Sequence, residues 1–179
     1  MPRRQKVAWR DVEGWARLRD GTACPICKGG KPKDVVAELP ASWVTAPRKA
    51  PLPGYVCVVS KTHAVEPFEL PSKVRARFWQ DVLVVGKSVA ARFKPVKMNY
   101  EIHGNSIPHL HVHIYPRFVG DPFEGKPIDW RRPRFVRHAR DIALIRGSLA
   151  AALNSRGRRL RGGRADPLPS NNGYLSKKV

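Results

Sequence analysis

The segment from His109 to Ile114 constrains the fold of this chain more than any other. It reads His-Leu-His-Val-His-Ile, so three histidines alternate with three aliphatic residues. Successive side chains of a β-strand point to opposite faces, and the pattern therefore predicts a strand with imidazoles on one face and aliphatic side chains in the core behind them. An imidazole can act as a nucleophile, a proton carrier or a metal ligand near neutral pH. A row of three requires a chemical explanation.

Hydrophobic periodicity predicts an α+β domain around this strand. A long amphipathic helix is expected to begin at Ser72 as its N-cap and to end before Pro95. Shorter helices are expected at 8–19 and around 142–153, and strands at 35–39, 42–45, 55–60, 96–102 and 109–114. The sum is an antiparallel sheet of about five strands with one long helix packed on it and flanking helices at both ends.

The charge of the chain is strongly basic, with 34 lysines and arginines against 14 acidic residues and a formal net charge of +20. Such a field attracts polyanions, among which nucleotides and nucleic acids are the natural candidates. We expect one domain over residues 1–155, with core motifs at 24–118, and a flexible basic tail over 156–179. The tail is either a nonspecific nucleic-acid arm or a solubilising segment.

The chain shows no apolar run long enough to cross a bilayer, and its opening residues lack the apolar core of a signal peptide. We therefore expect a cytoplasmic protein without membrane contact. Cys57 lies inside an apolar run and is expected to be a core thiol.

Three blocks of the sequence resemble the histidine triad (HIT) superfamily of nucleotide hydrolases and transferases. The signature His-x-His-x-His is met at residues 109–113, followed by Ile114 and Tyr115. An Asn upstream and a Gly-polar-Ser step match Asn99 and residues 104–106, and a Pro-Gly, hydrophobic strand and Lys-x-His match residues 53–63. The resemblance implies a HIT-like fold, and within the superfamily the chain looks like the branch of diadenosine polyphosphate hydrolases.

The resemblance also implies roles for the residues that match. His111 would be the nucleophile, attacking the α-phosphate of a nucleotide conjugate, while His113 would donate to the phosphate and Asn99 would orient it. A neutral imidazole can attack only if one ring nitrogen is exposed while the other donates to a fixed acceptor, usually a backbone carbonyl. The residues expected to contact phosphate oxygens or the leaving group are Gly104, Asn105 and Ser106.

A second group of side chains is expected to bind zinc. Relatives that keep a metal use two cysteines, the histidine after the Lys-containing strand end and the first histidine of the triad, which correspond here to Cys24, Cys27, His63 and His109. Two thiolates and two imidazoles suit tetrahedral Zn²⁺ in a structural site. The alternative is a pair of packing or redox thiols beside an unmetallated His63. No organic cofactor is expected.

One departure from the family concerns the ribose. Many relatives place an Asp or Asn about six residues before the Pro-Gly, and that position is Pro47 here, so the contact would be missing or supplied by Thr45 or Arg48. The sequence does not identify the base. His103 and His138 each stand alone and are expected to be solvated or hydrogen-bonded rather than functional.

The leading hypothesis is a nucleotidyl hydrolase that cleaves phosphoanhydrides or phosphoramidates, such as dinucleoside polyphosphates, through a covalent nucleotidyl-histidine on His111. Alternatives are a nucleotidyl transferase or phosphorylase, and an aprataxin-like deadenylase of adenylated nucleic-acid ends. The non-enzyme alternative is a nucleotide-binding protein. A further reading makes the three histidines a reactive metal site. The resemblance implies a homodimer.

Overall fold

A five-stranded antiparallel sheet forms the centre of the molecule in a computed structural model, which describes residues 8–129 and 135–161. Its strand order is β1-β2-β4-β6-β5. These strands are β1 (Val35–Glu38), β2 (Ser42–Thr45), β4 (Val56–Ser60), β5 (Lys97–Glu101) and β6 (His111–Arg117). A separate pair joins β3 (Lys49–Ala50) to β7 (Phe135–Val136). The predicted α+β architecture is confirmed.

Four α-helices surround the sheet in the described residues. They are α1 (Val12–Arg19), α2 (Pro25–Lys28), α3 (Ser72–Phe93) and α4 (Ala139–Arg161), with short 3₁₀ turns at Ala8–Arg10 and Pro67–Glu69. The N-cap of α3 is Pro71 rather than Ser72, which is the first helical residue. Proline before a helix keeps an extended backbone without needing an N–H partner, so it replaces the expected serine cap.

The two faces of the sheet have different environments. Strand β6 buries Val112 and Ile114 on one face, where α3 contributes Phe78, Val82 and Val85 to the main core. The opposite face carries the partly exposed His111 and His113, together with a smaller cluster of Ala50, Tyr55, Cys57, Val59 and Tyr115. The alternation read from the sequence therefore separates core from site.

The structure departs from the predicted elements in two further places. Strand β6 begins at His111, so His109 lies in the preceding turn, where it is only 2% exposed, instead of forming one row with the other two histidines. Strands β3 and β7 were not predicted, because two-residue strands carry no periodic pattern. Helix α4 extends to Arg161, past the expected domain end at residue 155, and residues 162–179 of the expected tail lie outside the described part.

Among the described residues, no helix combines the length and the apolarity that crossing a membrane requires. Strands β1 and β5 are the two edges of the main sheet. The expected homodimer stays a prediction.

A buried carboxylate ties helix α3 to the start of strand β2. Asp81 is fully buried, and its Oδ2 accepts hydrogen bonds from the backbone N–H of Ala41 at 2.9 Å and from the Ser42 hydroxyl at 3.0 Å. Arg77 lies 4.0 Å from Oδ1. The contact fixes the helix against the β1–β2 turn.

We expect Asp81→Ala to lower the free energy of unfolding by about 3 kcal/mol, because two donors lose their acceptor in a fully buried site. Urea denaturation followed by circular dichroism measures the change. The control is Lys87→Ala, on an exposed position of the same helix, which is expected to change stability by less than about 0.5 kcal/mol. Equal stability of the two variants would show that the contact does not hold the helix.

Candidate functional site

Four side chains that are far apart in the sequence converge beside the sheet. Cys24, Cys27, His63 and His109 each offer one ligand atom, and these atoms all lie within 4.8 Å of one another. Nδ1 of His109 lies 3.4 Å from Sγ of Cys24 and 3.2 Å from Nδ1 of His63, and Sγ of Cys27 lies 3.3 Å from Nδ1 of His63. This Cys2His2 group could hold a metal ion.

The donor set fits a tetrahedral ion. Zinc–sulfur and zinc–nitrogen bonds of about 2.3 and 2.0 Å place tetrahedral ligand atoms roughly 3.3 to 3.8 Å apart, close to the measured separations. Both rings also have their outer nitrogen fixed: Nε2 of His109 lies 2.8 Å from the Ser60 carbonyl, and Nε2 of His63 lies 2.8 Å from the Arg19 carbonyl. A nitrogen facing a carbonyl must carry the proton, so each Nδ1 keeps its lone pair for a metal.

The local sequence explains how the cysteines reach this position. Asp20-Gly21 ends α1, and Pro25 begins the single turn of α2, in which Cys24 is the extended N-cap and Cys27 lies on the same turn. Burial and the neighbouring Cys24 thiol raise the pKa of Cys27 to about 11. A thiol with so high a pKa is neutral at neutral pH, and a cation bound between the two sulfur atoms would be needed to hold them both as thiolates.

The second histidine of the triad has a defined orientation. Nδ1 of His111 lies 2.6 Å from the backbone carbonyl of His109, which can only accept, so Nδ1 carries the proton. Within the described part of the chain, Nε2 of His111 contacts no hydrogen-bonding group. Burial lowers the pKa of His111, outweighing the bond to the His109 carbonyl. A neutral imidazole with an unshared nitrogen lone pair results.

The third histidine is held by a residue that the sequence did not single out. Nδ1 of His113 lies 2.8 Å from the hydroxyl of Tyr55 at the entry of β4. The rings of Tyr55 and Tyr115 stack with a centroid distance of 4.8 Å, and both are nearly parallel to the imidazole. Burial, and after it the neighbouring His111 and His103, lower the pKa of His113 to about 3.

Asn99, expected to orient His113, lies opposite Tyr115 in the β5–β6 register. Glu101, two residues further along β5, is the residue paired with His113. Among the described residues Asn99 forms no hydrogen bond with the imidazole, whose Nδ1 faces the phenol of Tyr55 instead. Asn99 also lines a different hollow, beside the 117–128 loop.

His111 and His113 open into a pocket of about 740 Å³. Gly104, Asn105 and Ser106 are among the residues that line it. Gly104 has φ of +69°, a conformation that favours glycine, and the nearest atom to a Cβ built there would be 3.9 Å away, so the loop leaves open space for a ligand. The side chains of Asn105 and Ser106 are exposed.

The pocket lining also includes charged side chains, which the sequence only partly indicated. Arg48 lines it together with Pro47, whereas Thr45, the other suggested ribose ligand, is buried outside it. Lys49 and Asp34 also line the pocket. The charged part of the lining is therefore mostly basic, with two cationic side chains and one carboxylate.

His103, expected to be solvated or hydrogen-bonded, is exposed and also lines the pocket. Its Nε2 lies 3.0 Å from a Glu101 carboxylate oxygen, and its ring lies 5.4 Å from that of His113. The sequence signal for this position is that His103 directly precedes Gly104, which also lines the pocket.

Comparison with known proteins shows what this arrangement resembles. A family model described as HIT domain matches residues 28–120, more than half of the chain. Protein hit of Bacillus subtilis (strain 168) is 27% identical over 137 residues, which cover 73% of this chain and 88% of that protein.

Solved structures share the fold. A histidine triad protein from Bradyrhizobium japonicum superimposes with a TM-score of 0.61 at 25% identity, covering 66% of this chain and 88% of its own. A Zn-bound histidine triad family protein from Mycobacterium smegmatis superimposes with a TM-score of 0.56 at 20% identity, covering 75% of this chain and 96% of its own.

The four-ligand group predicts that metal binding and thermal stability depend on Cys24 and Cys27, whereas metal binding does not depend on Cys57. We expect Cys24→Ala to lose the bound metal and to unfold at a lower temperature, because two imidazoles and one thiolate no longer enclose an ion. Elemental analysis of the purified protein and thermal unfolding measure the two effects.

The matched control is Cys57→Ala, which removes a buried thiol of the small cluster. It is expected to keep a full equivalent of metal even if it costs some stability. Metal retained in Cys24→Ala, or lost equally in Cys57→Ala, would contradict the assignment.

Proposed function

The chain belongs to the HIT domain family, and from that premise we propose that it is a nucleotidyl hydrolase. Proteins of this family are generally nucleotide hydrolases or transferases, although some only bind nucleotides. The proposed substrate is a nucleotide conjugate, such as a dinucleoside polyphosphate or a nucleoside phosphoramidate. The proposed reaction is cleavage at the α-phosphate through a nucleotidyl group carried on His111.

One observation carries this proposal: the contact between Nδ1 of His111 and the His109 carbonyl at 2.6 Å. It assigns the ring proton to Nδ1 and leaves the Nε2 lone pair for a ligand in the pocket. Displacement at phosphorus needs such a nucleophile, together with donors for the non-bridging oxygens. A histidine that served only to bind phosphate would instead present a proton.

The neighbouring groups suit the non-bridging oxygens and the leaving group. If the Tyr55 hydroxyl donates to Nδ1 of His113, the proton of that ring is on Nε2, from which it can donate to a phosphate oxygen. The Asn105 amide and the Ser106 hydroxyl supply further donors from the glycine loop. We assign Asn99 no direct contact with the reacting group.

The reaction then proceeds in two displacements. Nε2 of His111 forms a bond to the α-phosphorus as the bond to the leaving-group oxygen or nitrogen breaks. The leaving group departs with the electron pair, and a nitrogen leaving group takes up a proton from solvent and departs as the amine. Water next attacks the same phosphorus, the P–N bond breaks, its electron pair returns to Nε2, and the proton of the water passes to solvent. The product is a nucleoside monophosphate.

We propose that the metal held by Cys24, Cys27, His63 and His109 is zinc, a proposal supported by the donor set and by the Zn-bound relative. With four protein ligands the ion has no open position, so its contribution is a structural crosslink. The reading in which all three histidines form a reactive metal site is not favoured, because Nδ1 of His111 faces a carbonyl and His109 faces the cysteines.

We expect replacement of the nucleophile to abolish turnover without unfolding the protein. His111→Ala and His111→Asn should each lower kcat at least about a thousandfold, because the covalent route is lost. A panel of nucleotide conjugates, including an adenylated oligonucleotide, is incubated with the wild type and the products are resolved by ³¹P NMR. A nucleotidyl adduct on His111 should be trapped in the wild type only.

Metal content and circular dichroism of both variants should match the wild type. Full turnover in His111→Ala would overturn the nucleophile assignment. Products formed only with added phosphate would indicate a phosphorylase. Cleavage only of the oligonucleotide, with binding that weakens steeply as salt increases, would indicate a deadenylase.

The Tyr55 hydroxyl should matter for catalysis more than for binding. We expect Tyr55→Phe to lower kcat about tenfold with little change in KM, because the ring stack remains while the hydrogen bond that sets the His113 proton is lost. Steady-state kinetics on the preferred substrate measures the split. Tyr100→Phe, on the edge strand β5 outside the pocket, should leave both constants unchanged, and a similar loss in the two variants would contradict the role.

A further inference from the structure

The pocket of about 740 Å³ that His111 and His113 line is called the triad pocket. A second pocket of about 450 Å³ adjoins it, and the proposed function does not use this second pocket. It lies between strand β1 and the beginning of helix α4. Asp34 and Arg48 line both pockets, so the two cavities meet at these residues.

The lining of this second pocket is strongly cationic. Three arginines, Arg48, Arg137 and Arg146, face it together with His138, against the single carboxylate of Asp34. Within the part of the chain that the structure describes, none of the three arginines forms an ion pair. A cavity lined by three arginines carries a positive potential that favours an anionic ligand.

Arg137 is the most informative of these residues because it is only 2% exposed. Its guanidinium donates to the Pro47 carbonyl at 3.1 Å and to the Tyr55 carbonyl, and it lies 5.8 Å from the centroid of the Tyr55 ring. Its buried Nε has no hydrogen-bond partner among the described residues. Burial lowers the pKa of Arg137 to about 10, so its surroundings disfavour the cation.

The start of helix α4 adds backbone donors to the same cavity. Ala139, the first helical residue, lines the pocket. The Asp141 carboxylate accepts from the backbone N–H of His138 at 2.8 Å, but in the described residues no acceptor is bonded to the N–H groups of Ala139 and Arg140. A helix of 23 residues presents partial positive charge at this end.

We propose that this second pocket binds a phosphate group. Arg48 and Arg146 supply charged donors, the α4 N-terminus supplies backbone donors, and the buried Arg137 adds positive charge to the lining. The oxygen atoms of one phosphate can accept hydrogen bonds from both arginines and from the backbone N–H groups at the same time.

Asp34 and Arg48 line both pockets, so a phosphate bound in the second pocket could belong to a substrate bound in the first. This step rests on the proposed function. A substrate whose α-phosphate faces His111 and whose further phosphates pass Arg48 would reach the second pocket. We therefore assign the pocket to a distal phosphate of a polyphosphate leaving group. A free phosphate ion would use the same donors, so the experiment has one arm for binding and one for its source.

The binding arm needs no turnover. Inorganic phosphate is titrated into the ¹⁵N-labelled full chain, with chloride at equal ionic strength as reference, and backbone amide shifts are followed. Ala139 and Ile142 report the second pocket, and Asn105 and Ser106 report the triad pocket. We expect saturable shifts at Ala139. The dissociation constant for phosphate obtained from them should rise about tenfold in Arg146→Gln, which removes one charge-assisted contact. Arg140→Gln, on the same helix but outside the pocket lining, should match the wild type.

Shifts confined to Asn105 and Ser106, or equal weakening in Arg146→Gln and Arg140→Gln, would overturn the phosphate site. This result is independent of whether the protein turns over any nucleotide.

The source arm compares two substrates in the same variants. For a dinucleoside polyphosphate, Arg146→Gln should raise KM about tenfold, whereas for a nucleoside phosphoramidate, whose leaving group carries no phosphate, KM should stay within about twofold. Equal KM changes for both substrates, or none for either, would overturn the assignment to the leaving group. Absence of turnover in the wild type would count against the proposed function and leave the binding result standing.

Discussion

The structure depends on His109 more than on any other residue, because this histidine takes part in two arrangements with different groups. Its ring is fixed by the Ser60 carbonyl on one nitrogen and faces the two cysteines with the other. Its backbone carbonyl accepts from Nδ1 of His111. The side chain therefore helps to build the four-ligand group, while the main chain sets the tautomer of the candidate nucleophile. A metal bound there would hold the N-terminal segment and the start of β6 in one geometry.

The antiparallel sheet explains why the site can be reactive without weakening the core. Residues of β6 alternate between the apolar layer under α3 and the face that carries the pocket, so reactive and buried side chains share one rigid strand. Strand β4 lies beside it in register, with Cys57 opposite His113 and Val59 opposite His111. Aromatic side chains then fill the site face, where the parallel rings of Tyr55, Tyr115 and His113 restrict the imidazole. Stacking of this kind restricts the orientation of the His113 imidazole.

Much of this arrangement could be predicted from the sequence because it is encoded in local patterns. Period-two alternation indicated β6, the regular spacing of apolar residues indicated α3, and Cys-x-x-Cys indicated the turn at α2. The sequence did not show that His109 leaves the strand, which follows from the tight turn between Ile107 and His109. Tyr55 looked like one more residue of an apolar strand, since its contact with His113 spans 58 positions and exists only in the folded chain. Arg137 had no signal at all in a basic, proline-rich stretch.

The segment after the histidine strand changes what the site can recognise. Strand β7 pairs with β3, which carries Lys49, and Arg137 then bonds to the carbonyls of Pro47 and Tyr55. The residues that close the pocket from this side are therefore held by a part of the chain about 80 positions away from them. The two carbonyl acceptors offset the cost of burying the Arg137 guanidinium, so this side chain ties the segment after the histidine strand to the wall of the pocket. The basic character of the chain is consequently not only a diffuse surface field: part of it is concentrated beside the triad, where a polyphosphate chain leaving His111 would extend.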